Sequence, residues 1–177
     1  MDKTNSSNVS FKLGDYVTYR KNGVCEIVDI IEQNFVGQGK KEYYVLRSVY
    51  DNNTKVFVPT GSALENEMQY VLSEAEIHKV IEESKNVDCT WIDYCKARAA
   101  YFDEIINSGD KAKMLWIIKK VSEYKLEFEK TKKKMKANDL KYLAQAESII
   151  AADFAFSLKL QKNEVMGYIN NSLNNKR

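Results

Sequence analysis

The sequence is short of the residues that most site chemistry requires. It has one histidine, three cysteines and one proline in 177 residues. His78 has no second ligand in an H-E-x-x-H or C-x-x-C-H arrangement, and Cys25, Cys89 and Cys95 form no C-x-x-C pair, so zinc, haem and dithiol redox sites are not expected. A phosphate-cradling P-loop is missing as well, because Gly39-Lys40-Lys41 lacks both the first glycine and the hydroxyl. There is no G-x-S-x-G elbow, and a cysteine nucleophile would need a histidine to activate it. His78 falls in an amphipathic helical pattern, where a surface or packing role is the ordinary one. Neither an enzyme, a cofactor, a metal nor a small-molecule substrate is expected.

Charge of one sign is also scarce. With 27 Lys+Arg against 25 Asp+Glu the net charge is +2, so any phosphate binding has to come from local clusters. Long apolar runs are absent too. The first ten residues, MDKTNSSNVS, are polar, and the most apolar later stretch, Ser148 to Leu158, is broken by Asp153. Neither a signal peptide nor a membrane span is therefore expected. The unpaired cysteines fit a reducing cytoplasm, and a soluble cytoplasmic protein is the expectation.

What is present is unevenly distributed. Gly14, Gly23, Gly37, Gly39, Gly61 and Pro59 lie in the first part of the chain, and only Gly109 and Gly167 interrupt the rest. Tyr16-Val17-Thr18-Tyr19 is β-rich, and Asn22-Gly23 is a hairpin signal because glycine tolerates positive φ. Further strands are expected at Val24 to Ile31, Glu42 to Val49 and Thr54 to Val58, separated by Gly37-Gln38-Gly39 and Asp51-Asn52-Asn53. Four short hairpin-linked strands describe a small antiparallel barrel.

The rest reads as helices. Ser73 followed by Glu76 is a capping box. Thr90 can cap a helix that begins at Trp91 and runs to Ser108, with Gly109 as a left-handed stop. Asp110 can cap the next, with Met114, Ile117, Ile118, Val121, Tyr124 and Phe128 at helical spacing. Another begins at Asn138 or Asp139 and carries Leu140, Leu143, Ala146, Ile150, Phe154 and Leu158, and a last one covers roughly Glu164 to Leu173. The expected fold is α+β: a disordered N-terminus at residues 1–10, a Tudor/SH3-like barrel at 11–66, and a bundle of about five helices at 67–177.

Three features are candidate binding elements. Between Lys111 and Lys136 there are ten lysines and three glutamates, with Lys130, Lys132, Lys133, Lys134 and Lys136 nearly contiguous. They either complement a helix C-terminus and solvate a linker, or contact phosphates. Trp91 heads a stripe through Tyr94, Cys95, Arg98, Phe102 and Ile105. It is either core or an aromatic wedge of the kind that minor-groove proteins insert at a base step, with Lys96 and Arg98 as neighbouring basic groups. Lys55 to Val58 ends at Pro59, which cannot donate to a ladder, so this strand reads as an edge that can take a partner's strand, with Lys55 and Phe57 presented on it.

In order and spacing these patches resemble the CarD/CdnL-like family of bacterial transcription regulators, from Phe11 to Ile169. The opening pattern is Phe11-Lys12-Leu13-Gly14-Asp15-Tyr16-Val17-Thr18-Tyr19, then Asn22-Gly23-Val24 and Ile27. Tyr43-Tyr44-Val45-Leu46 and Val56-Phe57-Val58-Pro59 match later strands, and Trp91, Arg98, Ser108-Gly109-Asp110, Asp139, Leu143, Ala146-Glu147 and Phe154-Ala155 match the helical part. The resemblance implies a Tudor-like RNA polymerase interaction domain that docks on the β subunit. It also implies a helical domain at promoter DNA, with Trp91 matching the tryptophan that enters the minor groove at the upstream edge of the melted bubble and slows its collapse. The same barrel occurs in the transcription-repair coupling factor, an ATP-driven translocase, whose ATPase has no counterpart here. The alternative is a protein-only adaptor, with a peptide-binding barrel and a helical assembly domain.

Overall fold

The computed structural model describes residues 11–35, 39–51, 53–132 and 134–174; the N-terminal tail expected at residues 1–10 lies outside them. The chain divides into two units between Val71 and Leu72.

The first unit is a five-stranded antiparallel sheet of β1 (Tyr16–Tyr19), β2 (Val24–Gln33), β3 (Lys41–Ser48), β4 (Lys55–Pro59) and β5 (Met68–Tyr70), in the order β4-β3-β2-β1-β5. The β1–β2 hairpin closes where expected. Gly23 takes φ 64°, and Tyr19 N donates to Gly23 O at 3.0 Å. Between β3 and β4 the Asp51 carboxylate accepts from the Thr54 hydroxyl and, at 3.0 Å, from Asn53 N. Those two bonds shape the turn and hold the Asp51 carboxyl below its ordinary range. A register break between Ile27 and Asp29 marks an irregularity in β2. One side of the sheet is lined by Val17, Tyr19, Cys25, Ile27, Tyr44, Leu46, Val58 and Met68, with Phe11 over them.

The barrel expectation needs a correction: the sheet is open, with β4 and β5 as its two edges among the described residues. After Pro59 the chain turns through Gly61, at φ 67°, and a 3-10 turn at Glu65–Glu67. Glu65 stabilises this turn by accepting from Gly61 N at 2.5 Å. The turn delivers Met68–Tyr70 to β1, with Tyr19 opposite Met68. Three residues supply one short ladder, which β1 consumes. Because β5 belongs to the sheet, the first unit reaches Val71 rather than ending near residue 66. Arg20, at φ 45°, pairs through its guanidinium with Glu67 and so ties the β1–β2 turn to the start of β5.

The second unit packs α1 (Glu74–Glu83), α2 (Cys95–Ser108), α3 (Lys111–Lys130), α4 (Ala137–Leu158) and α5 (Lys162–Asn174) around one core. Ser73 and Glu76 form the capping box, Gly109 is the left-handed stop at φ 74°, and Asp110 accepts from Lys113 N at 3.0 Å. The core is built on Phe102, Met114, Ile117, Val121, Ala146, Ile150 and Phe154. Leu115 and Trp116 are buried too, because α3 packs against more than one neighbour and presents a wider face than a single stripe. Leu140, expected inside, is exposed, and Tyr142 takes the core position. Two ion pairs with little solvent access cross this core: Arg98 with Asp139, and Lys111 with Asp153 at 2.6 Å.

Candidate functional site

The helix expected to begin at Trp91 begins four residues later, at Cys95, with Tyr94 at its N-cap and no side chain accepting there. Between α1 and α2 the chain is irregular, and Val87, Cys89 and Trp91 pack in alternation against the helical core, as an extended segment does. The helix starts late because Arg98 takes up the backbone that would extend it. Its Nη1 donates to the carbonyls of Ile92 at 2.5 Å and Asp93 at 3.0 Å. In a helix those carbonyls would bind amides four residues on.

Arg98 was a candidate phosphate contact, and it sits inside instead, at 4% exposure. Its Nε and Nη2 donate to the two oxygens of Asp139 at 2.9 and 2.8 Å, a bidentate pair that raises the Arg98 pKa further. All three guanidinium nitrogens are thus engaged within the protein. The same guanidinium lies 4.4 Å from the centroid of the Trp91 ring.

Trp91 falls between the two expectations. It is half-buried, stacked on Tyr124 with ring centroids 4.1 Å apart and planes 16° from parallel, and set edge-to-face on Phe102 at 6.3 Å. Tyr124 and Arg98 both approach the indole over its face, so the part left to solvent is largely its edge. Cys89, in the same segment, hydrogen-bonds Tyr101, and with burial this pushes the Tyr101 phenol up to about 12. Beside Trp91 stands Tyr94, 64% exposed, which pattern reading had taken into the buried stripe. Lys96, on the first turn of α2, is exposed.

The Trp91–Tyr124 stack continues through Phe128, 6.2 Å from Tyr124. This aromatic run follows α3 toward its C-terminus, where Lys130, Lys132, Lys134 and Lys136 are exposed; Lys133 lies outside the described residues. At about 1.5 Å per helical residue, Lys130 is about 9 Å along α3 from Tyr124. Lys111, Lys113 and Lys120 have carboxylate partners in Asp153, Asp110 and Glu123, whereas Lys130, Lys132, Lys134 and Lys136 have none among the described residues. Lys132 takes φ 56°, so the chain turns sharply within the cluster.

On the sheet unit, β4 is an edge whose side chains alternate. Val58 is buried, while Phe57 is 41% exposed and Lys55 points to solvent. Phe57 has company that the sequence did not signal. Phe35, beyond the end of β2, meets it edge-to-face at 5.5 Å and meets Tyr43 at 5.0 Å. The edge therefore presents a small aromatic patch flanked by a lysine.

No helix among the described residues is long and apolar enough to cross a membrane. No curated protein matches the chain. Residues 11–71, the sheet unit, match the CarD-like/TRCF RID domain, a non-enzymatic RNA polymerase interaction domain. The chain thus carries the RNA polymerase interaction domain of CarD-like proteins, which supports an RNA polymerase-interacting transcription factor.

Proposed function

We propose that this protein, in the cytoplasm, docks on the polymerase β subunit through the β4 edge and stabilises the promoter open complex through its helical unit. Lys55 and Phe57, with Phe35 beside them, make the docking contact: a strand can add to β4 by main-chain hydrogen bonds while the aromatic patch supplies selectivity. Trp91 contacts the minor groove at the edge of the bubble, and Lys96, Lys132, Lys133, Lys134 and Lys136 meet phosphates around it. Arg98 is assigned no phosphate.

The observation that carries the DNA side is that Trp91, incompletely buried, stacks on Tyr124 of α3, and that the aromatic run from there leads along α3 to unpaired lysines at and just beyond its end. Tyr124, on which Trp91 lies, and Lys130, at the end of α3, are about 9 Å apart along the helix, a few nucleotides at about 3.4 Å per step of one strand. The mechanism needs no chemistry. A contact made only with opened DNA shifts the closed-to-open equilibrium by its own free energy, while contacts made equally with both states shift nothing.

The covering of the indole by Tyr124 and Arg98 favours a second reading, the protein-only adaptor, in which Trp91 never leaves its neighbours. Open-complex lifetime on a purified promoter, with and without the full chain, separates the two. A lifetime extension that weakens steeply with salt supports DNA contact; polymerase binding with no change in lifetime at any salt concentration supports the adaptor.

A further inference from the structure

We infer that Arg98 is the positioning residue for Trp91: its guanidinium, anchored on Asp139, holds the segment before α2 and the indole in one pose. The inference rests on the reading of Trp91 as the DNA contact. Arg98 joins three things. Its carboxylate partner is on α4, 41 residues away. Its Nη1 donates to the carbonyls of Ile92 and Asp93, directly after Trp91, and its Cζ lies over the indole, 4.4 Å from the ring centroid. A tryptophan on an irregular segment would otherwise sample rotamers and pay to order itself on each binding event, a cost that a preorganised side chain avoids. Arginine suits this work because its donors form a planar fork that can serve a carboxylate and carbonyls at once while stacking on a ring. Lysine, with its donors on a single atom, cannot do all of this.

The test uses the full chain labelled with 5-fluorotryptophan, which gives one fluorine resonance each for Trp91 and Trp116. In Arg98→Lys the charge opposite Asp139 is kept, but the fork and the stacking plane are lost. The Trp91 resonance is expected to move toward the solvent-exposed position while that of Trp116 stays. Open-complex lifetime extension should fall by about three- to tenfold, the range one cation–π contact supports. Polymerase affinity should not change, and the double variant with Trp91→Ala should lose no more than Trp91→Ala alone, because Arg98 acts through Trp91.

If Arg98→Lys does not fold, Arg98→Met with Asp139→Leu removes both charges together and leaves neither stranded, and the same readings apply. A Trp91 resonance that stays in place overturns the inference, and so does a displaced resonance with full lifetime extension. If Trp91→Ala alone leaves the lifetime unchanged, the promoter reading falls, and the fluorine spectrum still reports whether Arg98 holds the indole.

Discussion

Trp91→Ala is the perturbation on which the stability and functional arguments meet. Removing a fully buried tryptophan costs about 3–5 kcal/mol. Trp91 keeps only a minor part of its surface in solvent, so most of that is expected, about 3 kcal/mol, including its stack on Tyr124 and its contact with Arg98. In a unit the size of Leu72–Arg177, at about 4 °C per kcal/mol, the melting temperature of the helical transition should fall by about 12 °C. Calorimetry on the full chain measures the first quantity, and a competitor-chase assay of open complexes measures the second. The expected result is a moderate fall in melting temperature together with loss of lifetime extension at unchanged polymerase affinity. Trp91→Phe should be intermediate in both, since a smaller ring can still lie on Tyr124. A fall of about 20 °C or more would make Trp91 a core pillar and refute that estimate. A variant with full lifetime extension would refute the DNA contact.

On the sheet, Lys55→Glu with Phe57→Ala should weaken polymerase binding by about tenfold or more, read by pull-down or interferometry. Unchanged affinity in a folded double variant would move the interface away from β4. Replacing Lys132, Lys133, Lys134 and Lys136 by Gln should flatten the salt dependence of DNA contact by about 0.9 of logarithmic slope per phosphate lost, alike on every sequence; an unchanged slope would return these lysines to a solvated turn. Cys95, exposed at the start of α2, should react with a thiol reagent in the native protein, whereas Cys25, buried in the sheet core and pushed up to about 11 by that burial, should react only on unfolding. Peptide mass mapping checks the order, and early labelling of Cys25 would contradict the packing of the sheet.

Local chemistry was legible in the sequence, and long-range chemistry was not. The Ser73–Glu76 box, the Asp110 cap and the Gly109 stop each depend on residues within a turn of one another, so their spacing is their signal. The start of α2 depends on Arg98, and the place of Arg98 depends on Asp139, on another helix. In a stripe pattern such an arginine looks like an exposed base. Strand β5 was missed for a similar reason. Its three residues carry no alternation worth reading, and only pairing with β1 makes them a strand. Phe57 was placed on the exposed face of β4 because period-2 alternation requires it, yet its partner Phe35 lies outside any strand and gave no periodic signal. Tyr94 shares a helical stripe with Trp91 only in a helix that begins at Trp91; with the true start at Cys95 it becomes the cap and faces solvent.

The open sheet has a consequence for the free protein. An unpaired strand edge is a template for another copy of itself, and proteins protect such edges with charge, proline and shortness. β4 has all three: Lys55 at one end, Pro59 at the other, and five residues in all. Two identical edges brought together antiparallel about Phe57 would set Lys55 of each copy opposite Pro59 of the other, and Pro59 would withhold a donor from each end of the new ladder. A partner strand with an acidic group opposite Lys55 and no need of the amide at position 59 meets none of these obstacles. If the edge docks a partner strand as proposed, the features that discourage its own copies would also filter what it accepts, so self-avoidance and partner choice would rest on the same five residues.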